Sequence, residues 1–167
     1  MGDLKLTSSD FEDGGVIPRK CGYKNGNEEP ALAVTGISEE TESLVLIMDD
    51  PDAMGAVGKV WVHWVVWDII PEENDYASGT RHDEIENLFM DHSEGTDRYY
   101  EGMTDFGECG YGGPAPPDKR HTYVLKLYAL DCKELTCAEC KATKADVEKA
   151  MEGHIIEQTQ LTGTYAP

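Results

Sequence analysis

One continuous stretch, Leu44–Ile70, constrains the fold more than any other part of the chain; it reads LVLIMDDPDAMGAVGKVWVHWVVWDII. It contains two apolar runs, Leu44–Met48 and Lys59–Ile70. Apolar runs without a polar face are typical of strands that are covered on both sides. The stretch therefore predicts two buried strands joined by a turn, at the centre of a β-rich fold.

The turn between these two strands is acidic. Asp and Pro favour a turn here because Pro51 lacks a backbone donor and Asp bonds readily to nearby backbone amides. Asp50, Asp52 and His63 are costly to place beside so much apolar surface unless they have polar partners. Turn carboxylates and a satisfied core histidine would also fit this pattern, so the stretch indicates a site without defining it.

Length and charge limit the classes of partner. The 167 residues, 40% of them apolar, suit one globular domain spanning 1–167. With 33 acidic and 14 basic residues the net charge is -19, and such a surface repels nucleic acid and anionic membranes. We therefore predict neither nucleic-acid binding nor integral membrane contact.

The first residues, MGDLKLTSSDFEDGG, have neither the basic nor the apolar region of a signal peptide. No apolar run is long enough for a membrane span. These features predict a cytoplasmic protein. Five cysteines, an odd number, favour reduced thiols over a disulfide framework.

Further strands are expected on both sides of the central stretch. Short edge strands are predicted near Val16–Pro18 and Ala31–Val34, in a region rich in Gly, Asp and Pro. A longer strand is predicted at His121–Leu130, with four residues on one face: His121, Tyr123, Leu125 and Leu127.

Two helices complete the predicted elements. Thr80–Asp83 resembles a capping box before a short helix carrying Ile85, Leu88 and Phe89 on one face. A longer helix is predicted over Thr143–Leu161, capped by Thr143 and ended by Gly163. The pattern predicts a mainly β protein: a sandwich of two antiparallel sheets with a few peripheral helices, one of them C-terminal.

The polar residues of the central stretch have counterparts later in the chain. His121 and Tyr123 follow a Gly- and Pro-rich loop at 112–117. If the strands are neighbours, both imidazoles open into one pocket, with carboxylates behind them fixing the tautomer. Backbone N–H groups of a Gly-rich loop add an anion-binding concavity. The sequence therefore predicts a small pocket for an anion.

Three segments resemble the phosphatidylethanolamine-binding proteins, a family that includes the Raf kinase inhibitor protein. They are DDPDA, WVHW and YGGPAPPDKRHTYVLKLYALD, and the resemblance extends from about Phe11 to Tyr165. The chain is most similar to the bacterial and archaeal branch. The resemblance implies a two-sheet β-sandwich with a pocket for phospholipid head groups or phosphorylated side chains.

Matched position by position, the resemblance implies a ligand-binding set with no catalytic and no metal-binding residue. The set is Asp50, Asp52, His63, Gly113, Pro114, Ala115, Pro116, His121 and Tyr123. Met54 stands where the family usually has proline, and we expect the peptide bond before it to be trans, since a cis bond without proline costs roughly 3–4 kcal/mol. Ala115, Val34 and Thr104 also depart from the family pattern.

The leading interpretation is a binding protein rather than an enzyme. It would take a small anionic or phosphate-bearing ligand (a phospholipid head group, a phosphorylated side chain or a nucleotide), without a cofactor, and regulate a kinase or a protease. Motifs of common nucleophiles, zinc hydrolases and P-loops are missing from the sequence. Two alternatives stay open: a metal-assisted phosphoester hydrolase using the same Asp and His residues, and a structural protein with a vestigial pocket. The oligomeric state is not predicted.

The cysteines offer a different site. Cys132, Cys137 and Cys140 have a spacing that could join Cys109 in a zinc site, although we expect no metal there. Among the other histidines, His154 is predicted to pack on the last helix, whereas His82 and His92 are predicted to face solvent.

Overall fold

Two β-sheets carry the fold of the residues that the computed structural model describes, 3–71, 83–89 and 99–167. The strands within these ranges are β1 Lys5–Thr7, β2 Gly15–Val16, β3 Ala33–Thr35, β4 Ser43–Asp50, β5 Trp61–Ile69, β6 Tyr100–Glu101, β7 His121–Leu130 and β8 Ile155–Tyr165. The helices are α1 Ala53–Val57, α2 Lys144–Met151 and a 3₁₀ turn at Arg19–Cys21. None of the described helices is long and apolar enough to cross a membrane.

The larger sheet has the strand order β2-β8-β7-β4-β5-β6, and β1 pairs with β3 in the smaller one. Strands β4, β5, β7 and β8 form antiparallel ladders, whereas the short β2 pairs with β8 in parallel. The predicted class, mainly β with two sheets and few helices, is confirmed. The prediction of one domain over the whole chain stays a prediction.

The central strand β4 is buried on both faces because each face meets a different layer. Leu44, Leu46 and Met48 join the core that includes Leu6 of β1 and Val34 of β3. The alternate side chains contact α2 instead, in a second cluster formed by Val45, Ile47, Val65, Trp67, Val147 and Met151. The apolar run at 44–48 thus indicated a strand between two layers, and the strand continues to Asp50.

Strand β5 departs from strict alternation at two irregularities. Met48 of β4 pairs with Trp64, and the next residue, Asp49, pairs with Val62. His63 is therefore an extra residue on β5 without a partner on β4. A second shift lies near Asp68, whose φ is 58°. Bulges of this kind re-aim the bulged side chain. Strict alternation would place His63 on the same face as Val65 and Trp67. The bulge instead turns His63 to the other face, where its ring contacts Tyr123.

The predicted C-terminal helix is half correct. Thr143 caps α2 with the expected capping box to Asp146, but the helix ends at Met151. Gly153, with a φ of 83°, lies in the turn that follows, and the chain returns as β8. The prediction was wrong after Met151 because β8 supplies the backbone partners for one whole edge of β7. Gly163 lies inside β8 rather than ending a helix.

The short helix predicted after Thr80–Asp83 is not present in the described residues 83–89. Ile85 instead forms an isolated antiparallel bridge with Val34, with N–H···O distances of 2.9 and 2.8 Å. A backbone bridge to β3 overrides the local helical pattern. Residues 80–82 of the predicted capping box, His82 included, and His92 lie outside the described residues. The loop after Pro51 contains the short helix α1, which the sequence pattern did not predict.

The expectation of reduced thiols is wrong for two of the five cysteines. Cys109 and Cys140 form a disulfide with a Cα–Cα distance of 4.9 Å. Cys21, Cys132 and Cys137 are free. The pairing links the loop before β7 to the segment that leads into α2, two positions that share no sequence periodicity. Because two of its sulfurs are bonded to each other, the four-cysteine zinc site considered from the sequence does not form.

Close packing around β8 gives the first prediction. A Cβ on Gly163 would lie 2.6 Å from Ile17 and 2.8 Å from Phe11, both in the core. We expect Gly163→Ala to lower the free energy of unfolding by about 1–3 kcal/mol, as overpacked core substitutions do. Urea denaturation measures the change.

Gly55→Ala in the exposed helix α1 is the matched control. A Cβ there meets nothing within 4 Å, so this variant should be neutral or stabilised by up to about 1 kcal/mol. Equal stabilities of the two variants would contradict the packing of β8 against Ile17 and Phe11.

Candidate functional site

The candidate site forms where three strands of the larger sheet begin or end. Asp50 ends β4, His121 begins β7, and His63 lies near the start of β5. Asp50 pairs with Trp61, and the preceding Asp49 pairs with Val124. Antiparallel pairing therefore brings residues from distant parts of the sequence to the same end of the strands.

Tyr123 lies in contact with both imidazoles. Its ring centroid is 5.1 Å from that of His63, in an edge-on arrangement, and 6.3 Å from that of His121. All three side chains are buried. The predicted convergence of the two histidines is thus present in the geometry.

His121 bonds to a carboxylate through each ring nitrogen. Nδ1 is 2.6 Å from Asp50 Oδ2, and Nε2 is 2.7 Å from Asp118 Oδ1. Because carboxylates accept hydrogen bonds, both nitrogens donate and the ring is an imidazolium. Burial lowers the pKa of His121, but the hydrogen bonds and charges of Asp50 and Asp118 outweigh it, so that the pKa is raised.

His63 is neutral for the opposite reason. Burial lowers its pKa and outweighs the favourable hydrogen bond to Gly112 and the charge of Asp50. Nδ1 donates to the carbonyl oxygen of Gly112 at 2.7 Å. The neutral ring then carries its proton on Nδ1, which leaves Nε2 as an acceptor.

Asp52 orients the turn instead of contacting either imidazole. Its carboxylate accepts the backbone N–H of Thr122 at 2.8 Å, and its own N–H donates to Asp50 Oδ1 at 3.0 Å. These bonds tie the end of β4 to the start of β7. The peptide bond before Met54 is trans, as expected.

The glycine loop is less available to an anion than the sequence suggested. The N–H of Gly112 donates to the His63 carbonyl at 2.9 Å, and that of Gly113 donates to Asn27 Oδ1 at 2.7 Å. A Cβ on Gly113 would collide with the Cys21 carbonyl oxygen. The two glycines therefore fix the loop against the 3₁₀ turn, and the predicted concavity of glycine N–H groups is not formed by them.

The remaining loop residues predicted for the site are Pro114, Ala115 and Pro116. The Pro114 carbonyl accepts the N–H of Tyr23 at 2.9 Å, and Pro114 and Pro116 are buried. The backbone of Ala115 lies beside the Tyr123 hydroxyl. Of this loop, Ala115 is thus the residue whose backbone borders the buried hydroxyl.

The completely buried Tyr123 hydroxyl lacks a hydrogen-bond partner among the described residues. Burial and then the nearby charge of Asp50 raise its pKa, so that it remains protonated. An unsatisfied buried hydroxyl costs about 1–3 kcal/mol. Such a group requires an explanation, and a bound molecule that accepts its hydrogen bond would supply one.

Sequence reasoning missed two residues of this arrangement. Asp118 lies three positions before His121, so a carboxylate search along the same loop would have found it. Asn27 comes from a distant irregular segment and has a φ of 52°. No sequence pattern marks Asn27, because its role depends on the docking of one loop against another.

The family model for phosphatidylethanolamine-binding proteins matches residues 7–166. The chain belongs to this family. It is 37% identical over 162 residues to a UPF0098 protein of the archaeon Methanothermobacter thermautotrophicus, covering 97% of this chain and 98% of the relative. A UPF0098 protein of Chlamydia trachomatis is 34% identical over 164 residues, with the same coverage of the two chains. The predicted resemblance is confirmed, and the relatives include bacterial and archaeal proteins.

Solved structures of the family are similar along nearly the whole chain. The putative phosphatidylethanolamine-binding protein homologue CT736 of Chlamydia trachomatis has a TM-score of 0.77 and 32% identity, covering 97% of this chain and 96% of its own. YbcL of E. coli, described as a new member of the mammalian family, has a TM-score of 0.78 and 26% identity, with 98% coverage of both. These likenesses confirm the fold.

The opposite environments of the two histidines give the second prediction. We expect NMR titration to place the pKa of His121 above the ordinary value of about 6.5 and that of His63 below it. Asp118→Asn should lower the pKa of His121, since it removes one of the two carboxylates. Because the pKa of His121 is raised, the stability it contributes is fully present below about pH 6.5 and is lost as pH rises through the folded pKa.

Asp105→Asn is a suitable control, since that carboxylate bonds to Lys59 and the N–H of Val62 and touches neither histidine. Titration of His121 below His63 would contradict the assigned protonation states. An unchanged His121 in Asp118→Asn would show that the Asp118 contact is not formed in solution.

Proposed function

We propose that this protein binds a small phosphate-bearing ligand between His63, His121 and Tyr123. The buried hydroxyl of Tyr123, without a partner among the described residues, is the observation that carries the proposal. It is a buried donor in contact with two imidazoles, and a phosphate oxygen would satisfy it. The family membership is consistent with a binding role, because phosphatidylethanolamine is the ligand in the family's name.

The charge at the site favours an anion only after one rearrangement. The His121 imidazolium lies between Asp50 and Asp118, so its positive charge is already compensated. The Asp50 side chain is 4% exposed, whereas that of Asp118 is 43% exposed. Asp118 can therefore rotate into solvent, and a phosphate oxygen would take its place on Nε2. Asp50 would remain and hold the proton on Nδ1.

His63 would contribute to ligand selection. Its unprotonated Nε2 is an acceptor, which suits a ligand carrying a donor beside its anionic oxygens. A singly protonated phosphate ester or the ammonium group of phosphoethanolamine meets that requirement. Inorganic sulfate, which carries no proton near neutral pH, would be bound more weakly.

The geometry gives no specific support to the hydrolase alternative. Metal ligation by His121 requires an unprotonated ring nitrogen, yet both of its nitrogens donate to carboxylates. Regulation of a kinase or a protease, through a phosphorylated side chain bound in this pocket, stays a prediction.

Isothermal titration with phosphoethanolamine tests the proposal. Tyr123→Phe should weaken binding by about 10-fold or more, because a hydrogen bond to a charged group is worth roughly 1.5–3 kcal/mol. Asp118→Asn should strengthen binding several-fold at about pH 6, because the competing carboxylate is gone while Asp50 still favours the protonated ring of His121.

Tyr128→Phe is the matched control. Tyr128 lies on the same strand but packs against the cluster on the α2 side. The loss of its hydroxyl should therefore leave the affinity for phosphoethanolamine unchanged. Equal losses in the two tyrosine variants, or no measurable binding by the wild-type chain, would contradict the proposed function.

A further inference from the structure

Three side chains of types that can ligate a metal lie at the opposite end of the β7–β8 ladder from His121. Asp131 and Cys132 follow β7, and His154 precedes β8. We name these three residues the ladder-end cluster. They are independent of the anion site, since the strands that carry both run their full length between them.

The three side chains converge. One potential ligand atom from each lies within 4.8 Å of the other two. Asp131 Oδ1 already accepts a hydrogen bond from His154 Nδ1 at 2.8 Å. A tetrahedral zinc ion with bonds of about 2.0–2.3 Å needs its ligand atoms roughly 3.2–3.8 Å apart. Closing the cluster around an ion therefore requires side-chain movements of about 1 Å.

The backbone beneath the cluster is fixed while its side chains retain freedom. The N–H of Asp131 donates to the His154 carbonyl at 3.0 Å, and the Cys132 carbonyl accepts from Ser43 Oγ at 2.6 Å. The Asp131 and His154 side chains are 49% and 47% exposed. A rigid frame with adjustable ligands is suited to taking up an ion without refolding.

A cavity adjoins the cluster. Its volume is about 690 Å³, and Cys132, Cys137 and His154 are among the residues that line it, against α2. An ion held by the three ladder-end residues would therefore have a fourth coordination position with access to solvent. The exposed hydrogen bond between His154 and Asp131 accounts for two of the three residues without a metal, and Cys132 packs against the apolar cluster on the α2 side. Neither role requires the ligand atoms of all three residues to converge as they do.

We propose that Asp131, Cys132 and His154 bind Zn²⁺ and leave one position open to the cavity. A sulfur, an imidazole nitrogen and a carboxylate oxygen together suit zinc, whereas magnesium and calcium prefer oxygen ligands alone. The site is distinct from the four-cysteine arrangement considered from the sequence, because Cys109 and Cys140 are joined to each other.

Competition with a chromophoric zinc chelator tests the proposal on the metal-free, full-length protein. The wild type should bind one zinc ion per chain. Cys132→Ser and His154→Ala should each weaken binding by at least about 100-fold, since the loss of a direct ligand costs no less than the loss of a supporting group. Cys137→Ser is the matched control: it removes a free thiol from the same cavity but not from the cluster, so its zinc affinity should be unchanged.

Cobalt provides a direct signature of the ligands. Cobalt-loaded wild type should show a thiolate-to-metal charge-transfer band, and that band should be missing in Cys132→Ser and present in Cys137→Ser. Zinc should raise the melting temperature of the wild type but not that of the two ligand variants. Their melting temperatures without metal should match the wild type, which shows that they fold.

The proposal is overturned if the wild type binds no zinc or if Cys132→Ser binds it as tightly. It is also overturned if Cys137→Ser loses zinc as completely as Cys132→Ser, since the fourth position would then be filled by protein. Phosphoethanolamine binding should be the same in Cys132→Ser and wild type, so the two sites are tested separately.

Discussion

The contact between Asp50 and His121 is the interaction on which the site depends. A buried carboxylate and a buried imidazole meet at 2.6 Å across the β4–β7 pair. Each is the other's buried partner of opposite charge, since the further partners are the half-exposed Asp118 on His121 and the backbone N–H of Asp52 on Asp50, and removing one member of a buried pair is strongly destabilising. The pair therefore makes this end of the strands polar, and the turn, the glycine loop and Tyr123 are arranged around it.

The proposed anion site would have to work within a strongly acidic protein. The chain has a net charge of -19, and long-range attraction of a negative ligand is not available to it. Recognition must then rest on short-range donors: the Tyr123 hydroxyl, and the His121 Nε2–H when Asp118 leaves it. Asp118 accepts the hydrogen bond of that Nε2–H in the structure, so the donor is satisfied there.

The sequence predicted the elements whose patterns are local and uninterrupted. The apolar run of β4 and the alternation of β7 appear in the structure as predicted, and the capping box of α2 is present. The helix predicted up to Leu161 was wrong because a residue pattern with helical spacing is outweighed by an available strand edge on β7. The Cys109–Cys140 disulfide could not be read from spacing, since pairing depends on where two loops meet.

In the candidate site, too, the sequence indicated the residues with local patterns but not the contacts between distant segments. Asp50, His63 and His121 could be grouped from their positions beside turns and from the family resemblance, and the geometry brings them together. The bulge that turns His63 toward Tyr123 has no sequence signature. The occupied amides of Gly112 and Gly113 likewise depend on partners distant in sequence. Sequence reasoning could not show which polar groups have hydrogen-bond partners, and in the structure the buried Tyr123 hydroxyl has none among the described residues.

A crystal structure of the complex with phosphoethanolamine tests the central claim most directly. The account predicts a phosphate oxygen within hydrogen-bond distance of both the Tyr123 hydroxyl and His121 Nε2, with the Asp118 side chain turned into solvent and the Asp50–His121 contact retained. A ligand bound elsewhere, with Asp118 still on His121 and the Tyr123 hydroxyl still unpartnered, would contradict it.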